Sequence, residues 1–348
     1  MDITAFACGS YCNDDKGSQV NGYLRTAGSF WMFHAIVLRD WKGSVNTMKI
    51  ITETPLNALQ TIYDSTVDIT AIHSVQGGDI NEAYFLELSD GSSVFMKKHE
   101  GTDPEFFQVE ADGLNAIRRT KTISVPEVIL AGTDPSCGKV YLLMQYVCSA
   151  ARKPDFWERF GRELAEMHIA STEDMLTGGR YGFPSDNYIG ATRQINKPAE
   201  SWIRFYRDRR LEYQYRKVYH FLDQSDRKAM QYILDHLDQW LTEPAYPSLL
   251  HGDLWGGNFI VGHDGYAWLI DPAVYVGNRE ADLAMTELFG GFSRTFYDAY
   301  QETSPLEAGY EDRRDLYHLY HLLNHLNLFG TGYLSSVRQI LHRYAGRQ

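Results

Sequence analysis

SLLHGDLWGGNFIVGHDGYAWLIDP, residues 248–272, carries the densest pattern in the chain. It reads as two short strands around a loop of polar residues. His251-Gly252-Asp253-Leu254 is followed by Asn258, five residues after the aspartate, and Asp271 stands thirteen residues beyond that asparagine. Phe259-Ile260-Val261 and Tyr266-Ala267-Trp268-Leu269-Ile270 are β-rich runs, and His263-Asp264-Gly265 supplies the Asp-Gly signal of a tight hairpin. A hairpin folds the chain back on itself, so Asn258 and Asp271 emerge at one end of it. Two oxygen ligands meeting at one point suit a hard ion such as Mg²⁺, held by one or two side chains plus phosphate oxygens. A single Asp or Asn in a turn is ordinarily a cap or an Asx-turn. Four polar positions at these intervals, joined by a hairpin-compatible link, are much harder to obtain by chance.

The order H-x-D-L-x-x-x-N, then D, resembles the one in which protein-kinase-like phosphotransferases present a base and two magnesium ligands. The fold class it implies is α+β and bilobal, a small β-rich N-lobe followed by a larger, mainly helical C-lobe. Composition agrees. At 348 residues the chain is long enough for two lobes, and 44% hydrophobic against 22% charged residues is ordinary for a globular protein. With 33 basic and 45 acidic residues the net charge is −12, which argues against nucleic acid or an anionic membrane as the main partner. Cys8, Cys12, Cys137 and Cys148 are too few for a disulfide framework, and Cys8/Cys12 has no second ligand pair for zinc nearby. The longest apolar run, residues 30–38, is far short of the about 20 residues of a membrane helix and lacks the flanks of a signal peptide. A cytoplasmic location with reduced thiols is the expectation.

Along the chain, residues 1–47 mix Gly, Ser, Asn and aromatics without a sustained period. They read as an N-terminal extension. It is either sequence translated ahead of an internal start at Met48 or a segment that packs on the body through Phe30, Trp31 and Phe33. Residues 48–147 read as the N-lobe. A short helix at 56–64 leads into a strand at 72–75, then Gly77-Gly78-Asp79-Ile80-Asn81, a strand at 83–88, an Asp90-Gly91 turn, and Ser93-Val94-Phe95-Met96-Lys97. Strand, glycine loop, strand, turn, strand ending in lysine is a layout that folds a loop over ATP phosphates. Lys97 and Lys98 are adjacent, so only one can face the cleft, and the pattern favours Lys97. Glu110, on a helix expected over 104–119, is placed to pair with it, whereas Asp112 falls on another face. The apolar run 140–147 ends in Met144-Gln145-Tyr146-Val147, read as the hinge where backbone groups meet adenine. Residues 148–348 read as the helical C-lobe, with helices over 156–171, 202–222, 227–241, 282–300, 313–329 and 333–344. His168, on an apolar helix face, reads as a core histidine.

Several segments together resemble the fructosamine/ketosamine 3-kinase family. They are Gly182-Phe183-Pro184, Asp186-Asn187-Tyr188-Ile189-Gly190, Gln194 and Asn196, then Trp202-Ile203-Arg204-Phe205-Tyr206 with Arg210-Leu211. His251 to Asn258 and the run from Asp271 to Phe292 complete the likeness, which covers about residues 50–348. Gln145 stands where such hinges usually have Glu, Asn278 where His is expected, and the glycine loop lacks the cysteine some members carry. The resemblance implies ATP- and Mg²⁺-dependent phosphorylation of ketoamines, free or as glycated lysines on proteins, at the sugar's third carbon, a step of deglycation. The alternative is another small-molecule kinase of the aminoglycoside or choline kinase-like fold.

The residues then take expected roles. Asp253 is the catalytic base; Asn258 and Asp271 hold the metal; Lys97, oriented by Glu110, steadies the α/β-phosphates under the Gly77-Gly78 loop. Only ten residues separate Asp271 from Asp282, too few for a peptide-docking platform, so a small sugar pocket is expected, with Asp282 bracing the catalytic loop. Trp255 and Tyr275 flank the site, each as a sugar contact or a core residue.

Overall fold

The computed structural model describes residues 51–75, 81–101, 103–176 and 178–346. The expected N-terminal extension, 1–47, and the Gly77-Gly78 turn lie outside the described residues. The first part is a six-stranded sheet. In chain order it comprises β1 (Ile51–Thr52), helix α1 (Pro55–Ile62), β2 (Ile69–Val75), β3 (Glu82–Leu88), β4 (Ser93–His99), helix α2 (Glu105–Thr120), β5 (Val128–Thr133) and β6 (Val140–Gln145). The strands lie in the order β1-β5-β6-β4-β3-β2, antiparallel except for the β1–β5 pair.

Strand alternation decides what each face meets. On β6, Tyr141 and Leu143 join Ala58 and Leu59 of α1 in one core cluster, while Val140, Leu142 and Met144 join Phe107, Ala111, Leu114 and Ile117 of α2 in the other. Being covered on both faces is why this strand reads as an unbroken apolar run. On β4 the same alternation sends Val94 and Met96 toward α1, and Phe95 with Lys97 toward α2.

The second part is mainly helical. It contains α3 (Phe156–Ile169), the ribbon β7 (Asn187–Ile189) and β8 (Thr192–Gln194), α4 (Trp202–Phe205), α5 (Glu212–Val218) and α6 (Gln224–Asp235). Four short strands follow, β9 (Ser248–Leu250), β10 (Phe259–Val261), β11 (Ala267–Leu269) and β12 (Tyr275–Gly277). Helices α7 (Glu280–Leu288), α8 (Arg294–Thr303), α9 (Tyr310–Phe329) and α10 (Leu334–Ala345) complete it. Among the described residues no helix is long and apolar enough to cross a membrane.

Three helices differ from the sequence expectation, each for a local reason. The one expected over 282–300 is two helices, because Gly290 and Gly291 take φ of +101° and +71°, which a continuing right-handed helix excludes. Between α4 and α5 the chain widens to a π-helical turn, Tyr206–Leu211, and this brings Tyr206, Arg210 and Leu211 all inward. Helix α6 begins at Gln224 because Asp223 caps it: its Oδ1 accepts from the Ser225 and Asp226 amides, and Asp226 Oδ2 accepts from the Asp223 amide.

The floor of the second part is aromatic. Phe160 of α3 packs its ring against Phe259 of β10 at 5.1 Å and Phe296 of α8 at 5.2 Å. Helices α3 and α8 approach so closely that a Cβ on Gly161 would sit 2.2 Å from the Phe296 carbonyl oxygen. Gly161→Ala must push the two helices apart and should lower unfolding free energy by about 1–3 kcal/mol. An unchanged urea midpoint would show that the contact yields freely.

Candidate active site

The hairpin β10–β11 pairs Phe259 with Leu269 and Val261 with Ala267, and the Ile270 amide donates to the Asn258 carbonyl at 3.1 Å. Asn258 and Asp271 therefore leave the hairpin side by side. Asp271 is held at φ +55°, in the left-handed region that a side chain enters at some cost. Its Oδ1 accepts from Lys97 Nζ, and the same ammonium donates to Glu110 Oε1 at 2.6 Å. Burial pulls the Lys97 pKa down, but the Asp271 and Glu110 carboxylates outweigh it and hold the group charged. Asp112 turns away, accepting from Gln108 at 3.0 Å.

Asp253 sits on the loop between β9 and β10, and that loop is fixed from below by Asp282 of α7. The His251 amide donates to Asp282 Oδ2 at 2.6 Å and the Gly252 amide to Oδ1 at 2.8 Å. His168 Nε2 lies 3.2 Å from the same Oδ2, and its Nδ1 lies 2.8 Å from the Tyr300 hydroxyl. His251 Nε2 donates to the Ile270 carbonyl at 3.0 Å, which leaves Nδ1 to accept from the Asp253 amide at 3.3 Å. Gly252 takes φ +83°, and a Cβ there would meet the Ala273 carbonyl oxygen at 2.0 Å. Only glycine fits.

Asn258 Nδ2 donates to the Asp253 carbonyl at 2.8 Å and to Asp253 Oδ2 at 3.1 Å, which leaves its own Oδ1 as a ligand atom. The Asp253 carboxyl is pushed up to about 7, chiefly by burial and against the Asn258 hydrogen bond, with Asp271 and Asp282 adding repulsion. One carboxylate and one amide oxygen at the mouth of the hairpin form a hard donor pair.

A buried polar network supports the segment after Asp271. Asn187 Nδ2 donates to the Val274 carbonyl at 2.8 Å, and Gln194 Nε2 donates to the Ala273 carbonyl at 2.9 Å and to Asn187 Oδ1 at 2.8 Å. Arg210 donates to Asn196 Oδ1 at 2.8 Å and to the Ile195 carbonyl at 2.7 Å, and its guanidinium lies 3.9 Å from the centre of the Tyr275 ring. Tyr275 is 1% exposed, so its ring is a core element here and not a wall of the cleft. Trp255 is the opposite case: it is 38% exposed and meets Phe289 edge-on at 6.2 Å.

Residues 272–278 are all buried and include β12, paired with β9, so the short span between Asp271 and Asp282 presents no exposed platform. Of the expected hinge, Met144 and Val147 are buried; Gln145 exchanges bonds with Glu127 through its amide at 2.7 Å and its side chain at 3.3 Å; Tyr146 packs on Phe85 at 4.4 Å. Asn81 Oδ1 lies 2.9 Å from His99 Nδ1. The sequence placed His168 in the core but did not see its bond to Asp282, and it attached no role to Arg210 or to His321, whose Nδ1 lies 3.9 Å from Asp253 Oδ1.

The family model described as fructosamine kinase matches residues 51–346. The chain belongs to the fructosamine kinase family. A Synechocystis protein described as a probable ketoamine kinase is 40% identical over 274 residues, 77% of this chain and 88% of the relative. The chloroplastic protein-ribulosamine 3-kinase of Arabidopsis thaliana is 39% identical over 302 residues, covering 85% and 89%. Among solved structures, one from Haemophilus somnus assigned to fructosamine-3-kinase superposes with a TM-score of 0.73 at 28% identity, covering 84% of this chain and 96% of that one. A macrolide 2'-phosphotransferase type I, at TM-score 0.53 and 12% identity, covering 84% of this chain and 96% of that one, shares the fold alone. The fold is thus the bilobal protein-kinase-like one, and this member of the fructosamine kinase family is a phosphotransferase that draws on ATP.

The steric argument at Gly252 is testable. Gly252→Ala displaces the loop that carries Asp253, and misplacement on that scale costs turnover at least about 10²-fold. Nucleotide affinity by calorimetry should stay within about threefold, since the lysine side of the cleft is untouched. Normal turnover would show that the loop adapts.

Proposed function

We propose that this enzyme phosphorylates the 3-hydroxyl of ketoamines, free or as glycated lysines on proteins, and so acts in deglycation. The observation that supports it most is the convergence of Asp253, Asn258, Asp271 and the Lys97–Glu110 pair in a chain of this family. The names of the Synechocystis and Arabidopsis relatives favour a ketoamine acceptor.

In this reading residues 48–147 form the nucleotide lobe and residues 148–348 the lobe that carries base and acceptor, in a cytoplasmic enzyme. Asp253 accepts the proton of the attacking hydroxyl as its oxygen bonds to the γ-phosphorus and the bond to the bridging β–γ oxygen breaks. Lys97, held by Glu110, steadies the α/β-phosphates, with Gly77 and Gly78 above them and adenine against the backbone of residues 144–147. Asn258 Oδ1 and the Asp271 carboxylate would hold Mg²⁺, which when bound offsets the charge on the phosphate oxygens. Trp255 lines the open end of the acceptor site. Tyr275 is assigned no contact with substrate.

The deciding experiment offers ATP and Mg²⁺ with fructosyl-lysine or ribulosyl-lysine, beside an aminoglycoside, choline and homoserine, and locates the new phosphate by NMR. Phosphate on the sugar's third carbon supports the reading; turnover of one of the other acceptors in its place refutes it. Asp253→Asn should keep nucleotide binding and lose turnover by at least about 10²-fold. Near-normal turnover would remove Asp253 from its role. Asp271→Ala should abolish Mg²⁺-dependent nucleotide binding, because the ion loses its charged ligand; an unchanged metal titration would sink that assignment.

A further inference from the structure

His321 of α9 is 4% exposed, and its Nδ1 is buried without a hydrogen-bond partner among the described residues. The carboxylate oxygen facing it, Asp253 Oδ1 at 3.9 Å, is beyond hydrogen-bond reach. Nor is this an ion pair. Burial, reinforced by His325 and His318, pushes the His321 pKa down to about 3, so the ring is neutral. One turn on, His325 Nδ1 is also buried and unpartnered, and its ring stacks on Phe289 at 4.8 Å. Phe289 in turn meets Trp255. A buried polar nitrogen left unpaired beside a catalytic carboxylate is costly unless a ligand completes it.

We propose that His321 is a specificity-determining residue whose Nδ1 exchanges a hydrogen bond with the acceptor hydroxyl next to the one attacked, on the side away from the amine. The inference rests on the ketoamine reading above. Hydroxyls on adjacent carbons present two oxygens about a hydrogen-bond length apart, which suits two protein atoms 3.9 Å from each other. The direction follows from exposure. A lysine-borne amine must leave toward solvent, past the half-open Trp255, so the buried His321 faces the inner end of the sugar. Counted from the third carbon, the inner neighbour is the 4-hydroxyl.

The test compares wild type, His321→Leu and His321→Asn on fructosyl-lysine and its 4-deoxy analogue. Wild type should lose about 30-fold in kcat/KM on the analogue. His321→Leu should lose about as much on the parent and then be nearly indifferent to the missing hydroxyl, with ATP affinity unchanged. His321→Asn, which restores a polar atom near the place of Nδ1, should recover most of the loss. A His321→Leu enzyme that discriminates as strongly as wild type overturns the inference. If that variant fails to fold, wild type decides it: equal use of both substrates also overturns it. Absence of wild-type turnover on the parent ketoamine overturns the functional reading and this inference together, whereas turnover without discrimination removes only the role of His321.

Discussion

The loop that carries Asp253 depends on one buried carboxylate. Asp282 accepts from the amides of His251 and Gly252, and those two bonds set the backbone from which Asp253 projects. Hydrogen bonds to a charged acceptor in a dry environment are stronger than neutral ones, and the reverse holds for an unpaired charge, so Asp282 has to be fully engaged to be tolerated. His168 supplies the remaining contact and is itself fixed by Tyr300. Burial raises the Asp282 pKa, yet these bonds and the nearby His168 and His251 bring it below the ordinary carboxylate value. Asp253 goes the other way, because its burial outweighs the single Asn258 bond to its carboxylate. Two aspartates on the same loop system thus hold opposite characters, one a permanent anion and the other a group able to take a proton.

Rigidity on one side of the cleft comes from amides instead of apolar packing alone. The carbonyls of Ala273 and Val274 are each met by a side-chain amide, from Gln194 and Asn187. The Tyr320 hydroxyl closes on Gln194 Oε1 at 2.6 Å, and Arg210 closes on Asn196. Arg210 is buried, donates to carbonyl and side-chain amide oxygens and lies over Tyr275, so carbonyl and ring dipoles carry its charge. Such a network fixes a segment more sharply than apolar contacts, because each bond has a direction.

What the sequence made legible was local. An Asp-Gly turn between two β-rich runs brings Asn258 beside Asp271 whatever the rest of the chain does. Strand alternation likewise puts Lys97, and not Lys98, on the face covered by α2. What stayed hidden required two distant pieces of chain. Tyr275 could not be sorted between core and cleft until Arg210, 65 residues earlier, was seen over its ring. His321 reads as one more histidine on an apolar helix, and only the approach of Asp253 distinguishes it. The break of the 282–300 helix was in plain text as Gly290-Gly291, but an apolar period on both sides masked it.

The two halves of the site are held to different standards of rigidity, and the difference follows from where their charges sit. Asp253 is bound into its lobe at both ends of its own main chain, its amide donating to His251 Nδ1 and its carbonyl accepting from Asn258 Nδ2. Asp271 belongs to the same lobe through its backbone, but its carboxylate reaches across to Lys97 of the sheet. That ammonium serves two carboxylates at once, Glu110 and Asp271. In the proposed reading a cation and phosphates would act at these two carboxylates, whereas the Asp282 bonds lie apart from them. Under that reading, loading the nucleotide side leaves the support of Asp253 in place. The strained backbone at Asp271 falls at the one residue that belongs to both halves, where a side chain must be aimed by its main chain because its partner lies on another lobe.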